Sequence, residues 1–293
     1  MNISGSIVAL VTPMDRAGNI DFEAFEKLMH WHIQAGTNGI VVLGSTGEGA
    51  TITGNERTKL IKIAVKEAAG QIPIIVGTGS NSTQYTIALT QEAQALGADA
   101  CLIVAPYYNK PTQEGLYQHF KAIALAVEIP ILLYNVPSRT VIDMKVETVG
   151  RLTEFKNIIG IKEATGEVAR IAALRQLGGQ EFILLSGDDS TMLEFILAGG
   201  NGVISITSNI APKLMYEICT LAIAGKKEAA EKLNNRLLFL HKFLCIESNP
   251  IPVKWAMHKM GLIAGKLRLP LTELSTSYHQ PMQEALQKAG LIN

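Results

Sequence analysis

Cysteine is scarce in this sequence, and long apolar runs are absent. The three cysteines, Cys101, Cys219 and Cys245, are scattered and form no CxxC pair. This excludes a disulfide framework and predicts reduced, mostly buried thiols, as in cytosolic proteins. No apolar stretch of about 18 uninterrupted residues occurs, and the first residues lack a basic segment followed by an apolar core. We therefore expect a cytoplasmic protein that is neither secreted nor membrane-spanning.

An excess of charge of either sign is also missing. Lysine plus arginine and aspartate plus glutamate number 26 each, so the net charge is zero, and no basic stripe is present. This argues against a nucleic-acid partner. The six histidines do not gather with carboxylates, so we predict no metal site. Hydrophobic residues make up 47% of the chain, which is enough to bury a large core.

Eight short apolar runs recur before residue 210, separated mostly by segments with the spacing of amphipathic helices. Near-continuous apolar strands are typical of a parallel sheet covered on both faces. The pattern predicts an α/β fold, a (β/α)8 TIM barrel over residues 1–223, with an open doubly wound sheet as the alternative. The runs are Ile7 to Thr12, Gly39 to Leu43, Ile74 to Gly77, Ala100 to Ala105, Ile131 to Tyr134, Ile158 to Lys162, Phe182 to Leu185 and Val203 to Ile206.

Several helices have recognisable ends. Asp21 is a candidate N-cap, Thr53 and Glu56 have capping-box spacing, and one helix should run from Ser82 or Thr83 to Leu96. After Asn209 the strand pattern stops. The segments 214–224 and 229–244 look helical, so we expect a C-terminal helical domain over residues 224–293.

Lys162 stands at the end of the sixth apolar run, Ile158-Ile159-Gly160-Ile161-Lys162. Burial of an unpaired ammonium is costly and favours the neutral amine, which is a nucleophile. In a (β/α)8 barrel, chemistry lies at the carboxyl ends of the strands. If Ile158, Gly160 and Lys162 face inward, the small Gly160 leaves room beneath the amine. The sequence therefore predicts a Schiff-base lysine in the mouth of the barrel.

A structural salt bridge is the alternative explanation for Lys162, with Glu163 or Asp188 as the anion. Residues alternate sides along a strand, so Glu163 should point away from Lys162. This weakens the pairing with the neighbouring residue and favours the catalytic interpretation.

Polar groups also close other predicted strands. The loop from Gly44 to Gly49 offers two hydroxyls and backbone N–H groups able to hold a carboxylate, although such loops are often plain turns. A lone tyrosine at a strand end is more often a ring at the edge of the core. Several hydroxyls near one lysine instead indicate a site. The other strand ends are Pro106-Tyr107-Tyr108-Asn109, Tyr134-Asn135-Val136-Pro137-Ser138-Arg139 and Ser186-Gly187-Asp188-Asp189.

Three of these motifs resemble the class I pyruvate-dependent aldolases and lyases, the family of dihydrodipicolinate synthase and N-acetylneuraminate lyase. They are Gly44-Ser45-Thr46-Gly47-Glu48, Tyr134-Asn135-Val136-Pro137 and Gly160-Ile161-Lys162-Glu163. The resemblance covers essentially the whole chain. Longer motifs are similar to the dihydrodipicolinate synthase branch: Pro106 to Pro111, Tyr134 to Thr140 and Glu247 to Lys254.

The resemblance implies an enzyme of the diaminopimelate and lysine pathway that condenses pyruvate with L-aspartate 4-semialdehyde. Lys162 would form an imine with pyruvate, which needs no further cofactor. Tyr134 would donate and accept protons near the imine, and Ser45 and Tyr108 would complete the relay. The match gives Tyr107 the role of the tyrosine that crosses into a neighbouring subunit, but these two adjacent tyrosines leave an exchange of roles open. A homotetramer built from two tight dimers is also implied.

The same resemblance assigns the substrate-binding residues. Thr46 would hold the pyruvate carboxylate, and Gly187 and Ile204 would line the pyruvate pocket. Arg139 would capture the carboxylate of the semialdehyde, a role that suits the bidentate geometry of arginine.

The sequence departs from the family pattern in three places. Ser45 replaces the more usual threonine, which keeps the hydroxyl, and Val141 follows Arg139-Thr140 where glycine is common. Lysine-inhibited members carry histidines and a glutamate where this chain has Gly54, Arg57 and Tyr85, while Asn81 and Tyr107 are retained. An arginine and a tyrosine attract a cationic effector less well than a carboxylate does. We therefore predict weak or absent inhibition by lysine.

Two other functions compete with the synthase. One is a pyruvate-forming lyase that cleaves N-acetylneuraminate or a 2-keto-3-deoxy sugar acid with the same lysine and tyrosine. Arg139 favours the synthase, because a sugar acid requires hydroxyl-binding groups where the second carboxylate would lie. The other is a catalytically inactive binding protein, which would not need Lys162, Tyr134, Ser45 and Tyr108 together.

Overall fold

A computed structural model describes residues 3–293. Eight parallel strands form a closed barrel in sequential order, and the last strand pairs with the first. This confirms the (β/α)8 barrel and excludes the open sheet. The strands are β1 Gly5–Ala9, β2 Gly39–Val42, β3 Ile74–Gly77, β4 Ala100–Val104, β5 Ile131–Asn135, β6 Ile158–Glu163, β7 Ile183–Ser186 and β8 Gly202–Ser205.

Helices separate consecutive strands, and more of them follow β8. The helix after β8, α9, packs against β1 and ends at Ile223, so it closes the ring of barrel helices. The division into domains at residue 223 stays a prediction. The helices are α1 Phe22–Gln34, α2 Gly54–Ala68, α3 Thr83–Ala95, α4 Gln113–Ala126, α5 Pro137–Thr140, α6 Val146–Leu152, α7 Arg170–Gly178, α8 Met192–Leu197, α9 Pro212–Ile223, α10 Lys227–Asn234, α11 Leu238–Phe243, α12 Ile251–Lys259 and α13 His279–Lys288.

The strands bury both faces, as their apolar composition requires. One set of side chains packs outward against the helices, for example Ile40 and Leu133. A second set, which includes Ile75 and Leu132, fills the inside of the barrel. Because the interior is filled, open space is left only at the ends of the strands.

The predicted helix starts are confirmed. The Asp21 side chain accepts a hydrogen bond from Ala24 N at 2.9 Å, and Glu56 Oε2 accepts one from Thr53 N at 2.9 Å. Helix α3 begins at Thr83 after Ser82, as expected.

Two predicted segments differ most from the structure. Strand β1 ends at Ala9 rather than Thr12, because the Asn209 side chain takes up the Val11 N–H at 3.0 Å and the strand cannot continue its pairing. The predicted helix 229–244 is two helices, α10 and α11. The chain turns between them through a hydrogen bond from Leu237 N to Asn234 O.

The expected alternation along β6 is wrong before Gly160. The register between β5 and β6 skips one residue, since Ile131 lies opposite Ile158 while Leu132 lies opposite Gly160. This bulge turns Ile158 toward the helices. A Cβ at Gly160 would lie 2.4 Å from the Ile183 carbonyl oxygen. The glycine therefore permits the close approach of β7 and does not serve to leave space beneath the lysine.

All three cysteines are free thiols; Cys101 and Cys219 are buried and Cys245 is exposed. Over residues 3–293, no helix has both the length and the apolar character needed to span a membrane.

Candidate active site

A cavity of about 1290 Å³ opens at the carboxyl ends of the barrel strands. Strands and loops from most of the barrel border it, together with a segment from the C-terminal region. Its lining includes Ser45, Thr46, Tyr107, Tyr134, Arg139, Lys162, Gly187, Asp188, Ile206 and residues 245–249. Most of the residues predicted from the strand ends are thus brought together in one place.

Lys162 lies at the base of this cavity. It is 6% exposed, and its Cα is paired in register with that of Tyr134 on the neighbouring strand. The Nζ atom lies 4.3 Å from the centroid of the Tyr134 ring, a contact that supplies no full counter-charge. Among residues 3–293, Lys162 forms no salt bridge. The amine therefore borders open space and is not bound to a carboxylate.

Glu163 points away from Lys162, as predicted. Its Oε2 accepts a hydrogen bond from Arg170 Nε at 3.1 Å, and its Oε1 accepts one from Thr165 N at 2.9 Å. The Asn135 amide, next to Tyr134 in sequence, donates to the same carboxylate. Burial raises the pKa of Glu163, and the Arg170 charge opposes that shift. The outward faces of β5 and β6 thus keep this carboxylate away from the cavity.

Gly187 leaves room for the stem of the lysine. A Cβ at this position would lie 3.0 Å from Lys162 Cε and 2.6 Å from the Ala164 Cβ. Any larger residue would displace the amine. The structure therefore gives Gly187 a steric role beside Lys162.

The loop after β2 presents Ser45 and Thr46 to the cavity. Ser45 is exposed there, whereas Thr46 is buried and its Oγ1 accepts a hydrogen bond from Asn249 Nδ2 at 2.8 Å. Beneath them, Glu48 has a left-handed backbone with φ of 53° and pairs with Lys254 at 2.5 Å. Burial lowers the pKa of Lys254, and the Glu48 charge opposes this shift. The C-terminal region therefore holds this loop in place.

Arg139 lies on the short helix α5 at the mouth of the cavity. It is exposed, and its Nη2 donates to the Asn249 carbonyl oxygen at 3.0 Å. Val141, which follows this helix, has a left-handed backbone with φ of 64°. A β-branched residue is strained in this conformation, so the turn that presents Arg139 keeps the glycine-like geometry at a cost.

Two of the predicted site residues lie elsewhere. Tyr108 is 88% exposed and lies outside the cavity lining, while Tyr107 is 39% exposed and belongs to it. Tyr108 also has a left-handed backbone, with φ of 73°. Within one copy of the chain, Tyr107 and not Tyr108 borders the cavity, and the choice of the tyrosine that crosses into a neighbouring subunit stays a prediction. Ile204 is 1% exposed and is not part of the cavity lining, which includes Ile206, and its role beside pyruvate stays a prediction.

Arg57 and Tyr85 also line the cavity. Arg57 is 6% exposed, donates from Nη2 to the Gly77 carbonyl at 3.0 Å and lies 3.5 Å from Glu92 Oε2. Burial lowers the pKa of Arg57, and Glu92 opposes this shift. Gly54 also borders the cavity.

Sequence reasoning missed Asn249 and Lys254 as parts of the site. Both belong to the motif Glu247 to Lys254, which indicated a family and gave no role. An asparagine before a proline carries no chemical signal of its own. Over residues 3–293, no cluster of histidine, cysteine and carboxylate side chains is arranged to hold a metal ion.

Comparison with known proteins agrees with this geometry. The model of the dihydrodipicolinate synthetase family matches residues 2–289. The 4-hydroxy-tetrahydrodipicolinate synthase of Methylococcus capsulatus is 55% identical over 290 residues, which cover 99% of this chain and 100% of that protein. The enzyme of the same name from Pseudomonas aeruginosa is 53% identical and is covered to 99%.

Solved structures also match this chain over almost its whole length. The chloride-inhibited dihydrodipicolinate synthase of Acinetobacter baumannii, a complex with pyruvate, superposes with a TM-score of 0.98 at 54% identity. The match covers 99% of this chain and 100% of that one. The dihydrodipicolinate synthase of Thermotoga maritima has a TM-score of 0.97 at 41% identity, with 100% of both chains covered.

Proposed function

This chain belongs to the dihydrodipicolinate synthetase family, and we propose that Lys162 carries its reaction as the amine that forms an imine with pyruvate. The chain is a lyase with the activity of a 4-hydroxy-tetrahydrodipicolinate synthase, in the diaminopimelate and lysine pathway. The observation that carries our assignment of Lys162 is its burial at the cavity without a carboxylate partner. A paired ammonium would be held back from nucleophilic attack.

The proposed condensation begins at the Lys162 amine. Lys162 Nζ attacks the ketone carbon of pyruvate, and loss of water from the resulting carbinolamine gives an iminium ion. Removal of a methyl proton leaves an enamine, whose carbon attacks the aldehyde of L-aspartate 4-semialdehyde. The amino group of that substrate then attacks the imine carbon, which closes the ring and releases Lys162. No cofactor is required, because the iminium group formed on Lys162 accepts the electron pair.

The proton transfers need a hydroxyl close to the imine. Tyr134, the ring neighbour of Lys162, supports the role of proton donor and acceptor, and Ser45 borders the same cavity. Thr46 and the nearby backbone N–H groups bind the pyruvate carboxylate in our proposal, and Gly187 leaves space beside the lysine. Arg139 at the mouth binds the carboxylate of the semialdehyde through two parallel hydrogen bonds.

The third hydroxyl of the relay comes from a second copy of the chain in this proposal. Tyr108 projects outward from its own barrel at 88% exposure, so its ring is free to reach a neighbouring site. We therefore assign the crossing role to Tyr108 and place Tyr107 at the wall of its own cavity. This arrangement requires at least a dimer, and we propose a homotetramer of two such dimers, located in the cytoplasm.

A lyase acting on N-acetylneuraminate or a sugar acid is the closest alternative. Arg139 supports the synthase, since its guanidinium faces the mouth where the second substrate enters. The arginine at position 57 supports weak or absent inhibition by lysine, because a buried guanidinium repels a cationic effector.

Trapping with borohydride tests the role of Lys162. Reduction in the presence of pyruvate should add the mass of the reduced pyruvate adduct to the peptide that contains Lys162, and Lys162→Ala should give no adduct. Assays with aspartate semialdehyde and with N-acetylneuraminate then separate the synthase from the lyase. Absence of the adduct in the unaltered protein would leave only a binding function. An adduct on another lysine would assign the imine to that residue instead of Lys162.

A further inference from the structure

Asn249 contacts two groups that bind carboxylates in the proposed function. Its side-chain Nδ2 donates to Thr46 Oγ1 at 2.8 Å, and its backbone carbonyl accepts a hydrogen bond from Arg139 Nη2 at 3.0 Å. Asn249 itself lines the cavity and arrives from the C-terminal region, just before α12. One residue outside the barrel strands thus joins the two anchors of the site.

The direction of the first hydrogen bond has a chemical consequence. Because the asparagine N–H donates, the Thr46 oxygen acts as the acceptor, and the hydroxyl proton of Thr46 points elsewhere. Over the described residues, the Thr46 side chain has no other hydrogen-bond partner. Thr46 is 3% exposed and borders the cavity, so its proton is directed at whatever occupies that space. A hydroxyl held in this way is a donor suited to a carboxylate.

The amide of Asn249 is not arranged for stability. Its Oδ1 atom is buried and has no hydrogen-bond partner among residues 3–293, which costs free energy. A residue chosen for packing alone would satisfy both ends of the amide. The unpaired oxygen indicates that the donor end is the part that the site requires.

We propose that Asn249 is a positioning residue that fixes the Thr46 hydroxyl as a hydrogen-bond donor toward the carboxylate of the keto-acid substrate. Its backbone carbonyl separately holds the Arg139 guanidinium at the mouth. This inference rests on the proposed function, in which Thr46 binds pyruvate and Arg139 binds the second substrate. In this proposal the Asn249 side chain affects the binding of pyruvate, and its backbone carbonyl affects the binding of the second substrate.

Steady-state kinetics with both substrates test this division. Asn249→Ala should raise the KM for pyruvate by about fivefold through loss of one oriented hydrogen bond, with kcat changed by less than about twofold. The KM for the semialdehyde should stay within about twofold of the original value, because the backbone carbonyl remains.

Asn249→Asp gives a stronger and pH-dependent effect. A carboxylate would accept the Thr46 proton and place a negative charge beside that of pyruvate, so the KM for pyruvate should rise by about 30-fold at pH 8. Measured against the original enzyme at each pH, this ratio should shrink as the pH falls and the new carboxyl becomes protonated. The ratio for Asn249→Ala should not vary with pH.

Matched controls are available at Asn235, which is exposed in the same region. Asn235→Ala and Asn235→Asp should leave both KM values unchanged. Thr46→Val tests the underlying function by itself, since it must raise the KM for pyruvate if Thr46 binds the carboxylate. The double variant Thr46→Val with Asn249→Ala should be no worse than Thr46→Val alone, because both changes remove the same contact.

The outcomes are distinct. An unchanged KM in Thr46→Val overturns the proposed function of Thr46. A raised KM in Thr46→Val, with multiplying effects in the double variant, overturns the positioning role of Asn249. Equal rises in both KM values for Asn249→Ala, with a lower melting temperature, would show a structural role and likewise overturn the inference.

Discussion

The protein buries two lysines in opposite ways. Lys254 on α12 is 0% exposed and pairs with Glu48 at 2.5 Å, a carboxylate that also accepts a hydrogen bond from Arg268 N. Lys162 on β6 is 6% exposed, and no carboxylate pairs with it among the described residues. The charge of the first lysine is paired inside the protein, and the amine of the second borders a cavity, with the Tyr134 ring close to it.

The two lysines differ in whether the nearest carboxylate points toward the amine or away from it. Glu163 follows Lys162 directly, but the pleat turns it outward to Arg170. Glu48 belongs to the loop after β2, where its backbone is left-handed and its carboxylate pairs with Lys254. A buried lysine therefore indicates chemistry only when its surroundings deny it a partner.

Replacement of Lys162 by methionine should produce the largest effect. The variant loses its amine, so kcat/KM for the condensation should fall by more than about 10³-fold. Its free energy of unfolding should be unchanged or higher, because an unpaired buried ammonium costs stability. Activity assays and urea unfolding check both parts. A variant that stays active, or one that unfolds far more easily, would remove the distinction between the two lysines.

The same change at Lys254 should act mainly on stability. Lys254→Met leaves the Glu48 carboxylate buried without its charge partner, which should lower the free energy of unfolding by about 3 to 5 kcal/mol. Urea unfolding measures this loss. The double variant Lys254→Met with Glu48→Gln should recover most of it. A loss below about 1 kcal/mol would mean that water already screens the pair.

The smallest expected effect is on stability at acid pH, and it comes from the contact between Glu56 and Arg268 near Lys254. Hydrogen bonds from Arg268 lower the pKa of Glu56 from 4.5 to about 2. The folded protein therefore favours the ionised form of Glu56. The contribution of this group to the free energy of unfolding is fully present above pH 4.5 and is lost as the pH falls toward 2. The size should be about 1 to 2 kcal/mol for a partly exposed pair.

This pH dependence can be measured directly. The urea midpoint, followed from pH 6 to pH 3, should fall less steeply in Glu56→Gln than in the original chain. Parallel curves for the two proteins would show that the Arg268 contact does not stabilise the carboxylate.

Much of the site was predictable because strand ends in this fold converge. Lys162, Tyr134, Ser45, Thr46, Arg139 and Gly187 all line one cavity. The sequence predictions depart from the structure where the backbone is irregular. A bulge in β6 turns Ile158 outward, and Tyr108, which lies outside the cavity lining, has a left-handed backbone. Neither is visible in a pattern that assumes regular alternation.

The sequence by itself determined the barrel and singled out its lysine, because apolar periodicity and one charge at a strand end are local properties. Only the tertiary structure decided which groups surround that lysine. Asn249 lies 203 residues from Thr46, and Lys254 lies 206 residues from Glu48. Such pairs meet because the barrel closes and the C-terminal helices pack beside its mouth, and no local pattern encodes contacts over that separation.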